Sequence, residues 1–451
     1  MRPSLPSSNN RRTVIQSYSS IVQSSSSRSK KNSSLQLHPQ KNLEHLPHPL
    51  GHQQPSRQYA TATRLPPLAK LGRRWMEYQG INYWDGLLDP LDDNLRREIL
   101  RYGNFVEAAY KACDLHPSSP TYARRRFSKT SMLERCGLRD SGYRITKNLW
   151  ATSGIELPRW AGRKVPRWAS TCSTWIGFVA VCQDKEEIAR LGRRDIVVAL
   201  RGTVTCLEWL ENLRATLTHL PDSCGGGGKG SGHGPMVQSG FLSLYTSRSP
   251  SLPSLQEMVR GEIARLVRSY GDERLSLTVT GHSLGAALAT LAANDVKMSL
   301  GEEAALFVTA ISFGGPRVGD EAFRNQLELR GTRILRIVNS DDVITKVPGF
   351  TIGDDGKEDG ACDVDAQGCR KYVVGIPLAA AVPRWTRRCM AGTRWVYAEV
   401  GEELRLCSKD SPYLRGIDVA ACHDLKTYLH LVSGFVSSKC PFSATPNMLP
   451  A

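Results

Sequence analysis

Five residues, Gly281-His282-Ser283-Leu284-Gly285, do most to limit what this chain can fold into. They fit the pattern Gly-x-Ser-x-Gly. They also lie between an apolar run, Leu275 to Thr280, that reads as a strand, and an alanine-rich run from Leu284 to about Lys297 that reads as a helix. A serine at such a junction needs a turn tight enough to hold its hydroxyl clear of the sheet. Glycines on both sides remove the side chains that would collide there. The amide of Leu284 then heads a helix and points at a developing oxyanion. A glycine-flanked turn without chemistry would not require this strand, turn and helix order.

The flanking sequence extends the same alternation. Trp175 to Gln183, Ile196 to Leu200, Phe307 to Phe313, Arg333 to Val338 and Trp395 to Val400 read as strands. Leu255 to Val267 and Leu425 to Phe435 carry apolar residues at helical spacing. The pattern predicts an α/β fold, a mainly parallel sheet flanked by helices. An N-terminal helical extension precedes it, in which Asp92 or Asp93 caps a helix carrying Leu95, Ile99, Tyr102, Val106, Ala109 and Cys113. Residues 117–170 carry weak signals, enough only for one short helix. Two long loops interrupt the pattern, a glycine run from Gly225 to Gly234 and an acidic stretch from Gly353 to Asp365.

A serine elbow of this kind takes its partners in the chain order serine, acid, histidine. Of ten histidines only His423 and His430 follow Ser283. His423 stands just before the final helix, whereas His430 falls inside it, and a catalytic imidazole hangs from a loop, so His423 is favoured. The acid should follow the strand ending at Val338, where Asn339-Ser340-Asp341-Asp342 closes the segment; Asp342 is preferred to Asp341. Asp320 reads as a helix cap. A second oxyanion donor should come from the loop after Leu200. Arg201-Gly202-Thr203 sits there, with the amide of Thr203 as donor and its hydroxyl free to cap a helix carrying Trp209 and Leu213.

The net charge of +16 suggests a nucleic-acid binder only until it is located. Residues 1–76 hold twelve Lys or Arg against the single acid Glu44, which leaves a net +5 for all that follows. No recognition motif or zinc-finger spacing accompanies it, so nucleic-acid binding is not expected. The first 43 residues hold thirteen serines and no acid. Without an apolar signal core, this is organelle-transit composition, plastid before mitochondrion. Residues 1–65 are therefore expected to be a transit or disordered segment. Residues 66–451 form the folded domain, with its core at about 175–440. No apolar run is long enough to span a bilayer, so any membrane contact is peripheral. Twelve cysteines include no CxxC pair, and no metal or cofactor is implied.

These residues, together with Tyr83 to Leu91, Leu200 to Thr203, Phe313 to Gly319, Asn339 to Pro348 and His423 to His430, resemble the class 3 lipases of the α/β-hydrolase fold. In particular they resemble the plant class I phospholipase A1 family named for defective anther dehiscence. The resemblance implies a triad of Ser283, Asp342 and His423 and a plastid location. It also implies hydrolysis of the sn-1 acyl ester of phospholipids, galactolipids or triacylglycerols at a membrane or lipid-droplet surface. Gln238 and Glu399 depart from it, standing where histidines are expected. A lipase also needs a cover over its site, which Trp209, Leu210, Leu213 and the glycine run could supply. The competing readings are a soluble carboxylesterase and a non-catalytic lipid-binding or signalling scaffold.

Overall fold

A central parallel strand is covered on both faces, so its sequence is apolar at every position rather than at alternate ones. The computed structural model describes residues 70–116, 118–152, 173–203, 216–221, 234–300, 306–348, 397–414 and 419–441. All of them fall in the compact unit Pro66–Ala451. The expected transit segment, the residues around Trp209 and Leu213, the glycine run as far as residue 233 and the acidic stretch 353–365 lie outside the described residues.

Among the described residues, seven strands form the main sheet and two form a small ribbon. In chain order they are β1 (Tyr143–Thr152), β2 (Ser173–Cys182), β3 (Arg194–Leu200), β4 (Leu217–His219), β5 (Met236–Gln238), β6 (Leu275–His282), β7 (Leu306–Phe313), β8 (Arg333–Asn339) and β9 (Glu402–Leu406). The main sheet runs β1-β2-β3-β6-β7-β8-β9, and β4 pairs with β5. Strands β3 and β6 to β9 are parallel, while β1 and β2 close one edge in antiparallel pairing. The helices are α1 (Asp93–Ala112), α2 (Lys185–Leu191), α3 (Ser239–Thr246), α4 (Leu255–Tyr270), α5 (Leu284–Leu300), α6 (Glu321–Leu329) and α7 (Leu425–Gly434).

Strand β3 shows how the sheet separates two cores. Val197 and Ala199 join an apolar cluster with α1 and α7, and Ile196, Val198 and Leu200 join another with α4 and α5. Successive side chains point to opposite faces, so an unbroken apolar run feeds both. Local sequence starts the helices: Asp92 accepts from the amides of Asn94 and Leu95 to cap α1, and Ser254 with Glu257 forms a reciprocal capping box on α4.

Two elements differ from the sequence reading. The stretch expected to hold only a short helix does contain one, Met132–Arg135, but it also contributes the ten-residue strand β1. Register shifts between Ile145 and Lys147 and between Leu149 and Trp150 break the two-residue period by which a strand is recognised. The strand expected over Trp395 to Val400 is displaced as well. Its described part, 397–400, is irregular, and β9 follows at Glu402–Leu406. The acids of β9 are fixed by the neighbouring strand, because Glu403 lies opposite Arg336 and pairs with it at 3.3 Å.

Candidate active site

In an open α/β sheet, ligands bind beyond the carboxyl ends of the parallel strands. Strand β6 ends at His282 and α5 begins at Leu284, which leaves Ser283 alone at the corner. Its φ is +58°, a left-handed conformation that costs a non-glycine residue roughly 1–3 kcal/mol. A Cβ on Gly281 would run into the carbonyl of Gly285, and one on Gly285 into the carbonyl of Leu200. The two glycines therefore permit the turn. The Ser283 amide donates to the carbonyl of Phe313 at 3.0 Å, tying the corner to the end of β7. At the head of α5, the amide of Leu284 belongs to the first turn, which has no acceptor within the helix.

The segment after β3 reaches the same corner. Arg201 is buried and donates to the carbonyls of Trp175, at 3.0 Å, and Gly202, at 2.6 Å. A Cβ on Gly202 would lie 2.9 Å from the Cβ of Ser283, so only glycine lets this loop come so close to the elbow. Thr203 follows. Its hydroxyl oxygen is buried and has no hydrogen-bond partner among the described residues, and the helix it was expected to cap lies outside them.

After β8 the chain turns at Asn339 and brings Asp342 inward. Asp342 is fully buried, and its Oδ2 lies 2.6 Å from Nδ1 of His423. The same oxygen accepts from the Tyr428 hydroxyl at 2.6 Å, while Oδ1 accepts from the amide of Ile344 at 2.9 Å. Burial, and then the Asp342 carboxylate, push the Tyr428 phenol well above its usual pKa, so it stays a donor. Asn339 steadies the other side, its side-chain amide donating to the carbonyl of Cys422, one residue before His423, at 2.9 Å.

The two open choices separate spatially. Asp341 faces away, accepting from the amide of Ser408 at 3.1 Å and pairing with Lys409 at 3.1 Å. His430 lies on α7 with Nε2 2.9 Å from the Ser411 hydroxyl. Asp320 accepts from the amide of Phe323 and caps α6. Gln238 accepts from the amide of Phe241 and caps α3, and Glu399 pairs with Arg317 and Arg336. Both departures from the family pattern thus hold structural contacts.

Sequence reasoning missed the group that joins these parts. The elbow residue His282 is buried, its ring centroid 4.8 Å from that of His423. Its Nε2 lies 2.7 Å from the backbone carbonyl of His423, and its Nδ1 2.8 Å from the hydroxyl of Tyr110 on α1. A carbonyl oxygen only accepts, so the proton sits on Nε2 and Nδ1 accepts from Tyr110. Tyr110 in turn accepts from the amide of Gly202 at 2.9 Å. One continuous path therefore links the loop after β3, the N-terminal helix, the elbow and the backbone of His423. Burial, and then the neighbouring His423, hold the His282 imidazole well below its ordinary pKa, so it remains neutral. No sequence signal marks Tyr110, Tyr428 or Asn339, because their partners lie far away along the chain.

The family model described as lipase (class 3) matches residues 197–352. The Arabidopsis thaliana protein named phospholipase A(1) DAD1, chloroplastic, is 63% identical over 83% of this chain and 80% of its own length. Galactolipase DONGLE, chloroplastic, from the same plant is 38% identical over 83% of this chain and 72% of its own. Phospholipase A1 EG1, chloroplastic/mitochondrial, from Oryza sativa subsp. indica is 37% identical over 80% and 74%.

Proposed function

The chain belongs to the plant class I phospholipase A1 family of class 3 lipases and is a carboxylic ester hydrolase of the plastid, and we propose that it releases fatty acid from the sn-1 position of glycerolipids through Ser283, His423 and Asp342. The observation that carries this reading is the buried contact of Asp342 with His423 beside a serine held at positive φ. Ser283 Oγ attacks the ester carbonyl as His423 takes its proton. Asp342 accepts from Nδ1 and so orients the imidazole, stabilising it once it is charged. The oxyanion is held by the amides of Thr203 and Leu284, one on a loop fixed by Arg201, the other at the head of a 17-residue helix. The proton then passes to the leaving glycerol oxygen, and water, activated by the same histidine, cleaves the acyl-enzyme.

Phosphatidylcholine and galactolipid are the substrates this reading favours, with triacylglycerol next, since relatives are named for the first two classes of activity. In the same reading, residues 1–65 serve as the import signal. A fluorophosphonate probe should label the wild-type protein and not Ser283→Ala. A panel of phosphatidylcholine, monogalactosyl lipid and triacylglycerol should then show which ester is cut. Absence of both labelling and fatty-acid release would favour the non-catalytic scaffold.

A further inference from the structure

We propose that Arg124, Arg125 and Arg126 form a docking patch for an anionic lipid bilayer, holding the mouth of the active site against the surface that carries its substrate. The proposal rests on the acylhydrolase reading for its purpose, but not for its geometry.

The patch is placed by backbone hydrogen bonds. Helix α1 runs alongside β3, so its last turn, with Tyr110, reaches the oxyanion loop at Gly202. The chain then leaves the helix and folds back on itself. Cys113 bridges Arg125, the Asp114 amide donates to the carbonyl of Arg124 at 2.8 Å, and the Arg126 amide donates to that of Ala112 at 2.7 Å. The carbonyl of Ala123 accepts from the amide of Trp175 at 2.9 Å, and the carbonyl of the same Trp175 accepts from Arg201 at 3.0 Å. Trp175 therefore links the backbone of this turn to the Arg201 side chain that fixes the oxyanion loop, which puts the turn and its arginines at the carboxyl end of β3.

The turn is preformed. Ala123 is buried at φ +60°, a conformation that a flexible loop would relax. Asp114 accepts from the hydroxyls of Ser119 and Thr121 and from the amide of His116, and these bonds hold its carboxyl below the usual pKa. All three arginines are exposed, and none is in an ion pair among the described residues. Elsewhere on the surface, arginines are either in ion pairs, Arg74 with Glu77, Arg265 with Glu262 and Arg324 with Glu321, or stand apart without one among the described residues, as Arg144, Arg268 and Arg330 do; at 124–126 three follow one another. Asp114, the acid of this turn, gives its oxygens to local hydroxyls and makes no ion pair with the arginines among the described residues, although the charge of Arg126 adds to the lowering of its pKa. Arg125 donates one N–H to the carbonyl of Phe127 at 2.7 Å and Arg126 lies over the Phe127 ring, and the donors that remain on the three guanidiniums can fork onto phosphate or sulfate oxygens. A bilayer presents such groups in a plane, as a flat patch beside a lipid-cleaving site requires.

The test compares the full-length protein with a triple Arg→Gln variant and a triple Arg→Lys variant at 124, 125 and 126, so that the basic tail is common to all. Each is assayed on a soluble short-chain ester and on phosphatidylcholine vesicles with and without phosphatidylglycerol, and vesicle sedimentation is measured in parallel. The glutamine variant should match wild type on the soluble ester and on neutral vesicles. On anionic vesicles it should lose about fivefold per arginine, up to roughly a hundredfold, with the lysine variant keeping most of the rate and added salt erasing the difference. Equal rates and equal sedimentation of wild-type and glutamine proteins on anionic vesicles would overturn the proposal in favour of an acidic protein partner. An equal loss on the soluble ester, or no recovery with lysine, would overturn it in favour of a structural role. If wild type cuts neither ester nor vesicle lipid, the acylhydrolase reading fails, and sedimentation alone decides the patch.

Discussion

At the amino ends of β3 and β6, Asp195 is completely buried and accepts from Arg101 at 3.1 Å, Tyr102 at 3.1 Å, Tyr143 at 2.7 Å and Ser276 at 2.7 Å. Beside it, buried Glu98 pairs with Arg101 at 2.6 Å and Arg193 at 3.5 Å. At the carboxyl edge of the same sheet, just after β8, an equally buried Asp342 meets His423 and Tyr428. Burial works to raise the Glu98 pKa, but Arg101, Arg193 and Arg190 together bring it below the ordinary value; burial pushes Tyr102 up to about 12. Both carboxylates of this network, Glu98 and Asp195, are matched to arginines, which are permanent cations. At the carboxyl end the partner is an imidazole, which can take a proton and return it. Burial and charge are common to both ends; an imidazole bonded to a buried carboxylate, near a serine at positive φ, is found at one.

The sharpest way to break this contrast is to remove the imidazole. His423→Ala should lower kcat by roughly three to six orders of magnitude with the fold intact, leaving the oxyanion donors and substrate binding. His430→Ala, which loses the contact with Ser411 and the edge contact with Tyr413, should keep its rate and cost about 1 kcal/mol of stability. Rate and thermal midpoint measured together separate the two, and an inactive, folded His430→Ala would move the base to α7.

The opposite end should respond in the opposite currency. Asp195→Asn keeps the volume but leaves Arg101 and Arg193 short of a counter-charge in a closed interior. It should lose about 3–5 kcal/mol in denaturant unfolding, while the folded fraction keeps kcat within about twofold. A large loss of kcat with unchanged stability would show that the two ends are coupled through β3 or α1.

What the sequence allowed to be read follows the range of the interactions. Strand β6, the elbow and α5 are contiguous, and each is set by local pattern: an apolar run, two glycines, an alanine-rich helix. His423 could be ranked above His430 by its place before the final helix, whereas Asp341 and Asp342 are adjacent and the fold is what separates them. Tyr428 could not be assigned to the acid, nor Tyr110 to the elbow, because those bonds close over 86 and 172 residues and tyrosine on a helix face reads as core. The amino-end network was hidden for the same reason. The charges of Arg101 and Asp195 suggest solvent until the fold brings them together. Strand β9 was displaced because its acids answer to Arg336, which no local rule foresees.

A finer test concerns how Asp342 is held. Tyr428→Phe removes one of the donors to its Oδ2, and a hydrogen bond to a charged group contributes about 1.5–3 kcal/mol. The expected outcome is a kcat lower by about tenfold with KM nearly unchanged, since the phenol contacts the acid rather than the lipid. A rise in KM at constant kcat would place Tyr428 in substrate binding instead.

The smallest effect distinguishes the two ends by their response to acid. His282 is met by the Tyr110 hydroxyl, the backbone carbonyl and ring of His423 and the edge of Tyr428, with none of these a carboxylate. Its native pKa lies well below the value of about 6.5 that it regains on unfolding. Between those two values the unfolded chain binds a proton that the native one refuses. Stability is therefore complete above about pH 6.5 and falls as the pH drops below it, by about 1.4 kcal/mol per unit for this one group. His430, whose pKa burial also lowers, adds a weaker slope of the same sign. Unfolding free energies measured between about pH 7 and pH 5.5 should show this decline in the wild type and a shallower one in His282→Asn. Asp195→Asn should keep the full slope from a lower starting point, because none of the charges around it titrates in that window. A slope that His282→Asn leaves unchanged would mean that the elbow imidazole already accepts a proton in the folded protein, which the carbonyl contact at Nε2 and the hydroxyl at Nδ1 would then have to accommodate by a reversal of the Tyr110 hydrogen bond.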